Sequence, residues 1–215
     1  MNSLKPALLS ILLALLCNAA PAATQENAAA AQSQSDWLAH ASALEHRRDW
    51  AGLRDWGKRW SEVDPTNANA WFVLARALSK LNDPAAAIAA YRRNLELAPR
   101  DIFALINLGN LYRDGKQYRS ALSAYRDAAQ IDPDYIPAWH NLGLTFYGLQ
   151  GLSGVTQALL QLRATDPLLA DAWRTLAVEY SLTRDPRVAQ KAIVVLRGLD
   201  ADKRQRMFDI LFGKP

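Results

Sequence analysis

Residues 132–143 read DPDYIPAWHNLG, with two prolines, a tryptophan, a histidine, an asparagine and a glycine in one short segment. Read as chemistry, the stretch offers His140 and Asn141 as active-site groups. Read as architecture, it is a joint. Asp132-Pro133 closes one helix, Asp134 caps the next, and Pro137 sits in the first turn, where its missing N–H has no partner to lose. Recurrence of the pattern elsewhere in the chain decides between the two.

It does recur. Trp37, Trp71, Leu105, Trp139 and Trp173 follow one another at a constant interval, and Pro65, Pro99, Pro133 and Pro167 keep the same interval, each at a fixed distance after its Trp or Leu. Three positions after the aromatic comes Leu74, Leu108, Leu142 or Leu176, followed by a small residue, Ala41, Ala75, Gly109, Gly143 or Ala177. Three further on is a large apolar residue, Leu44, Leu78, Tyr112, Phe146 or Tyr180. The second half of each period carries Ala87, Ala121 and Ala189, then Tyr91 and Tyr125. Spacings of three and four are those of helices. Small residues let helices lie close, and large ones fill the gap between them. Asp49, Asp83 and Asp185 share one position in the period, and Pro84 and Pro186 follow the last two, which marks the start of a second helix in each unit. The closing prolines end that helix. His140 and Asn141 therefore sit among packing positions.

The order W-x-x-L-G-x-x-Y … A-x-x-x-Y … P resembles the tetratricopeptide repeat (TPR), and the interval between the tryptophans is the period of that repeat. Leu105, Leu108, Gly109, Tyr112, Ala121, Tyr125, Ala128 and Pro133 carry the most complete copy. Five units follow, at 34–67, 68–101, 102–135, 136–169 and 170–203. The first departs from the pattern at Leu53 and Gly57, and the fifth ends at Ala201 without proline. The resemblance implies an all-α, right-handed superhelical solenoid of about five helix pairs. Residues 204–215, with Met207, Ile210 and Leu211 at helical spacing, are expected to form a C-terminal capping helix over the last repeat's open face.

The resemblance also implies function. Such solenoids hold a peptide or helix of a partner protein in a concave groove lined by the first helices. Carried onto this chain, the groove positions are Phe72, Arg76, Ser79 and Lys80 in the second unit, and Phe103, Ile106, Asn107, Asn110, Arg113 and Asp114 in the third. The fourth unit supplies His140, Asn141, Leu144 and Tyr147, and the fifth Asp171, Arg174, Val178 and Ser181. Amide and guanidinium groups suit peptide backbone and carboxylates. Asn110 and Asn141 match the two asparagines of the family's carboxylate clamp. Ile106, Asp171 and Thr175 stand where that clamp needs cations, which argues against chaperone tails as the ligand.

Composition removes other classes. Half of the chain is hydrophobic, a fifth is charged, and the net charge is only +4, with basic and acidic residues interleaved. No nucleic-acid partner is expected. The sequence contains no H-E-x-x-H, no G-x-S-x-G and no phosphate-cradling glycine loop, so neither enzyme activity, nor a cofactor, nor a metal is expected. Gly148, Gly151 and Gly154 fall at a turn between helices and read as a distorted joint.

The N-terminus reads as a secretory signal. Lys5 precedes the apolar run Ala7–Leu16, and Ala20-Pro21-Ala22 supplies the cleavage site, with the cut after Ala22. Export, to a periplasm in a two-membrane bacterium, is expected, with no stable membrane span after cleavage. An uncleaved anchor is the alternative. Cys17, the one cysteine, follows Leu16 rather than the small residue a lipidation signal wants. Residues 23–33, rich in Ala, Gln and Ser, are expected to be a flexible leader. Four of the seven tryptophans (Trp37, Trp50, Trp56, Trp60) lie in the first unit, and the fourth unit carries only Arg163 and Asp166 as charges. Both are candidate interfaces with another chain, so self-association stays open, as does a structural or accessory role in a larger complex, an enzyme complex included.

Overall fold

Helix boundaries fall on the period read from the sequence. The structure, a computed structural model, describes residues 22–175, 183 and 185–212. Most of the expected signal segment, Cys17, and the fifth-unit positions Leu176, Ala177, Val178, Tyr180 and Ser181 lie outside the described residues. The described regular elements are all helices: α1 (Ala22–His46), α2 (Trp50–Val63), α3 (Ala68–Lys80), α4 (Pro84–Leu97), α5 (Ile102–Asp114), α6 (Tyr118–Ile131), α7 (Ile136–Thr165), α8 (Pro167–Arg174), α9 (Pro186–Arg197) and α10 (Ala201–Phe212). Among them none is long and apolar enough to cross a membrane. The chain divides into two compact units, residues 1–49 and 50–215, so the first expected repeat is split between them. In the first unit, α1 takes in the leader expected to be flexible. Its Ala- and Gln-rich composition has high intrinsic helix propensity.

Capping explains where the helices begin. Asn67, Asp83, Asp101, Asp166 and Asp185 each accept a bond from a backbone N–H two or three residues on, at 2.9–3.1 Å. Caps of this kind are worth about 1 kcal/mol each. Two expectations are corrected here. Asp134 caps nothing: Tyr135 is the N-cap of α7 and makes no side-chain cap bond, while Asp134 is gripped by Arg197 through two bonds of 2.8 and 2.7 Å. Pro167 does not simply close a repeat. Asp166 ends α7 and caps α8 at once, so Pro167 opens the next helix.

The turns within pairs share one device. After α1, α3 and α5 the chain makes the same two bonds. Arg48, Asn82 and Lys116 donate N–H to Glu45, Ser79 and Arg113, and Asp49, Asp83 and Gln117 donate to Leu44, Leu78 and Tyr112. This is the Schellman closure. It places Arg48 (φ 55°), Asn82 (φ 61°) and Lys116 (φ 59°) in the left-handed region, at successive positions one repeat apart. Gly115, the residue the sequence would nominate for that role, keeps φ at −79°. In the fourth unit the turn is replaced by a kink within α7, where Gly151 takes φ 64° and ψ −173°, so the glycine-rich segment is the distorted joint its composition suggests.

Packing in residues 50–215 runs from neighbour to neighbour: α2 on α3, and so on through α9. The first helices α3, α5 and α7 also touch in succession, forming one continuous wall. Two glycines permit the closest approaches. A Cβ on Gly57 would lie 2.8 Å from the Leu74 backbone nitrogen, and one on Gly109 would lie 2.5 Å from the Tyr125 ring. Two of the periodic tryptophans reach back to the prolines that precede them: the indoles of Trp71 and Trp139 donate to the carbonyls of Pro65 and Pro133, both at 2.9 Å. Leu105 has no N–H in its side chain to do so. At the first unit's tryptophans, Trp60 is buried while Trp37, Trp50 and Trp56 are half-buried, with Arg59 over Trp56 and Lys80 over Trp50. None of the four is fully exposed.

The C-terminal helix forms as the resemblance implies, and α10 packs on α7. Phe208 stacks on Trp139 at 5.8 Å, and Met207, Phe208 and Leu211 are buried. Part of the low-charge fourth unit thus meets another part of the same chain.

Two stability changes follow. A non-glycine residue in the left-handed region costs about 1–2 kcal/mol, against about 0.5–1 kcal/mol of extra chain entropy lost by glycine. Lys116→Gly should therefore stabilise by up to about 1 kcal/mol, and Lys116→Val should destabilise, as urea unfolding midpoints would report. Gly57→Ala should cost about 1–3 kcal/mol, because the contact it meets is backbone and cannot step aside.

Candidate functional site: the groove between the first helices

A groove opens between the second and third helix pairs. It has a volume of about 570 Å³ and is lined by Phe72, Arg76, Ser79 and Lys80 of α3, Tyr91 of α4, and Phe103, Asn107, Asn110, Leu111 and Asp114 of α5. Eight of these are positions nominated from the sequence. Tyr91 and Leu111 are additions. Tyr91 was assigned to packing, and its ring meets Phe72 edge-on at 5.7 Å. Phe103 is 61% exposed and meets Tyr135 edge-on at 6.0 Å. The Lys80 ammonium lies 5.8 Å from the Trp50 ring centroid.

The remaining nominated residues divide. Arg113 is tied to the scaffold: it donates to Asn141 Oδ1 at 3.0 Å and pairs with Asp114 at 3.5 Å. The same bond occupies Asn141, so the two link α5 to α7. His140, nominated as a groove group, is buried at 5% exposure, and Ile106 is buried as well. Tyr147 is exposed at the fourth unit, and Arg174 pairs with Asp171 at 4.0 Å at the fifth, both away from the groove lining. Asn110 does double duty. It lines the groove, and its Oδ1 accepts the Tyr125 hydroxyl at 2.7 Å. The sequence held a signal for this bond. Tyr125 lies across Gly109, so its hydroxyl falls beside the next residue.

Tyr125 is buried, and burial pushes its phenol well above the ordinary tyrosine range, only partly opposed by the nearby Arg113 charge. It stays neutral and keeps the O–H that Asn110 receives. Among the described residues, no three His, Cys, Asp or Glu side chains cluster as metal ligands would.

Comparisons with known proteins agree with this architecture. Residues 109–150 match a family described as TPR repeat, and residues 57–89 match one described as Tetratricopeptide repeat. Over 56 residues the chain is 39% identical to tetratricopeptide repeat protein 37 of Xenopus laevis, a segment amounting to 26% of this chain and 4% of that protein. Among solved structures, MamA of Desulfovibrio magneticus RS-1 (residues 41 to the end) superposes with a TM-score of 0.53 at 19% identity, covering 79% of this chain and 96% of the other. PilF of Pseudomonas aeruginosa superposes with a TM-score of 0.54 at 17% identity, covering 85% and 86%. The matched segments are TPR repeats, and the fold is that of these helical solenoids.

The tyrosine gives a pH test. Its folded-state pKa is raised, so the stability tied to its neutral form is fully present below the unfolded value of about 10 and is lost as pH rises above it. Between pH 9 and 12, Tyr125→Phe should lose less stability than the wild type, although at pH 8 it should be less stable by about 1 kcal/mol for the missing bond to Asn110. Urea unfolding at stepped pH would show both.

Proposed function

We propose that this protein is an adaptor or scaffold that binds a segment of a partner protein in the groove between its first helices, with no catalysis of its own. The observation that carries this reading is the convergence of eight sequence-nominated side chains from α3 and α5 on one open groove. Its lining mixes aromatic rings, amides and cations. Aromatic rings anchor apolar side chains, amides satisfy a peptide backbone, and cations hold carboxylates. The TPR repeats support this reading, since solenoids of stacked helix pairs create extended concave surfaces that serve for binding. The signal-like segment at residues 1–22 supports a role after export, in a periplasm or at a membrane surface, in the assembly or upkeep of an envelope complex.

Exposed apolar side chains support the accessory-subunit reading. Leu160, Leu168 and Val194, in the fourth and fifth units, are 60–70% exposed. Self-association through them would make the mass in sedimentation depend on concentration, and Leu160→Glu would abolish that dependence.

The groove is tested by cross-linking the tagged full-length protein in its native host and identifying what co-purifies. Arg76→Glu with Lys80→Glu is the informative variant, because neither side chain is buried and both line the groove. Asn110 and Arg113 are poorer choices, since each also holds the scaffold together. A partner lost from this variant and retained by Arg174→Ala supports the groove. A partner retained by both removes the groove from the function.

A further inference from the structure

The groove residues are ordered along the helix axis. On α3, Phe72, Arg76 and Lys80 are spaced by four residues, so each is about 6 Å further along than the last. Phe103 lies in the first turn of α5, so the two rings mark the end where α3 and α5 begin. By repeat position Asn110 is level with Arg76, and Asn107 lies about one turn earlier, at the level of Phe72. Asp114 is level with Lys80 in the repeat, but its charge is offset by Arg113 at 3.5 Å. The groove therefore runs from an aromatic end to a cationic end.

An extended chain has a matching period. Its residues rise about 3.3 Å each, and every second side chain faces the same way. Two residues thus cover the distance from the aromatic level to Arg76, and four cover the distance to Lys80. We propose, building on the groove reading above, that the partner segment is an extended acidic stretch with one large apolar anchor and carboxylates two and four residues from it. The anchor sits against Phe72 and Phe103, and the carboxylates meet Arg76 and Lys80. All three face the groove floor together. The intervening residues face solvent and are unconstrained. The two asparagine amides, each donor and acceptor, meet the segment's backbone. Because the cations are at the surface, binding weakens as salt rises.

A display library of random twelve-residue segments, selected on the full-length protein, tests this. The expected pool is enriched in a large apolar residue with Asp or Glu at the second and fourth positions from it, in either chain direction. The same selection on Arg76→Glu, Lys80→Glu should enrich Lys or Arg at those positions. Phe103→Ser should lose the anchor preference and keep the acidic one. Apolar anchors without acids at that spacing, the same pool from wild type and charge-reversed protein, or no enrichment at all would each overturn the proposal. The cross-linking experiment separates the two levels. If the native partner is lost from the charge-reversed variant while the library shows no such spacing, the groove stands and the ligand chemistry is wrong. If the partner is retained, the groove reading itself fails.

Discussion

Everything in this solenoid depends on how closely one helix can approach the next. At Gly109 the space a methyl group would take is filled by the Tyr125 ring, and at Gly57 it is filled by the backbone of α3. Larger residues there would push the helices apart and change the angle at which each pair meets the following one. That angle sets whether α3 and α5 stand side by side and whether their outward side chains share a groove. The Tyr125–Asn110 bond shows the coupling directly, since a core ring packed on a glycine fixes the orientation of a groove amide.

A second constraint acts at the turns. Three of them use the same left-handed residue and the same pair of closing bonds, although the residues are Arg, Asn and Lys. Only Asn tolerates that backbone well. The cost accepted at Arg48 and Lys116 shows that the turn's geometry is held by the packing of the helices on either side. The fourth unit departs from this scheme. Its two helices, which together make up α7, meet at Gly151, whose backbone is not helical, and α10 is laid against them.

The constant interval between tryptophans and between prolines made the helix pairs, the caps at Asp83 and Asp185 and eight positions of the groove lining legible in the sequence. Periodicity reports what is repeated, and the features missed are those that occur once. The Asp134–Arg197 pair joins residues 63 positions apart and has no counterpart among the described residues of other units. The docking of Phe208 on Trp139 depends on where the chain turns back after α9. His140 was assigned to the groove by its position in the unit, whereas its burial depends on what packs over the fourth unit. Arg113 and Asn141 were each placed rightly on the first helices, but a list of positions cannot show that two of them bind each other. The leader's helix could have been anticipated from its alanines, had propensity been weighed above low complexity.

Stacked repeats ordinarily interact only with their immediate neighbours, so each can form as soon as the one before it exists. The contacts that Phe208 makes with the fourth unit and Arg197 makes with the third break that rule. During synthesis, the second and third pairs can complete themselves while the ribosome is still extending the chain. The fourth cannot, because its Trp139 face waits for a residue about seventy positions later. The groove is therefore assembled before the C-terminal third closes, and a partner encountered early would meet a finished binding surface on an unfinished protein.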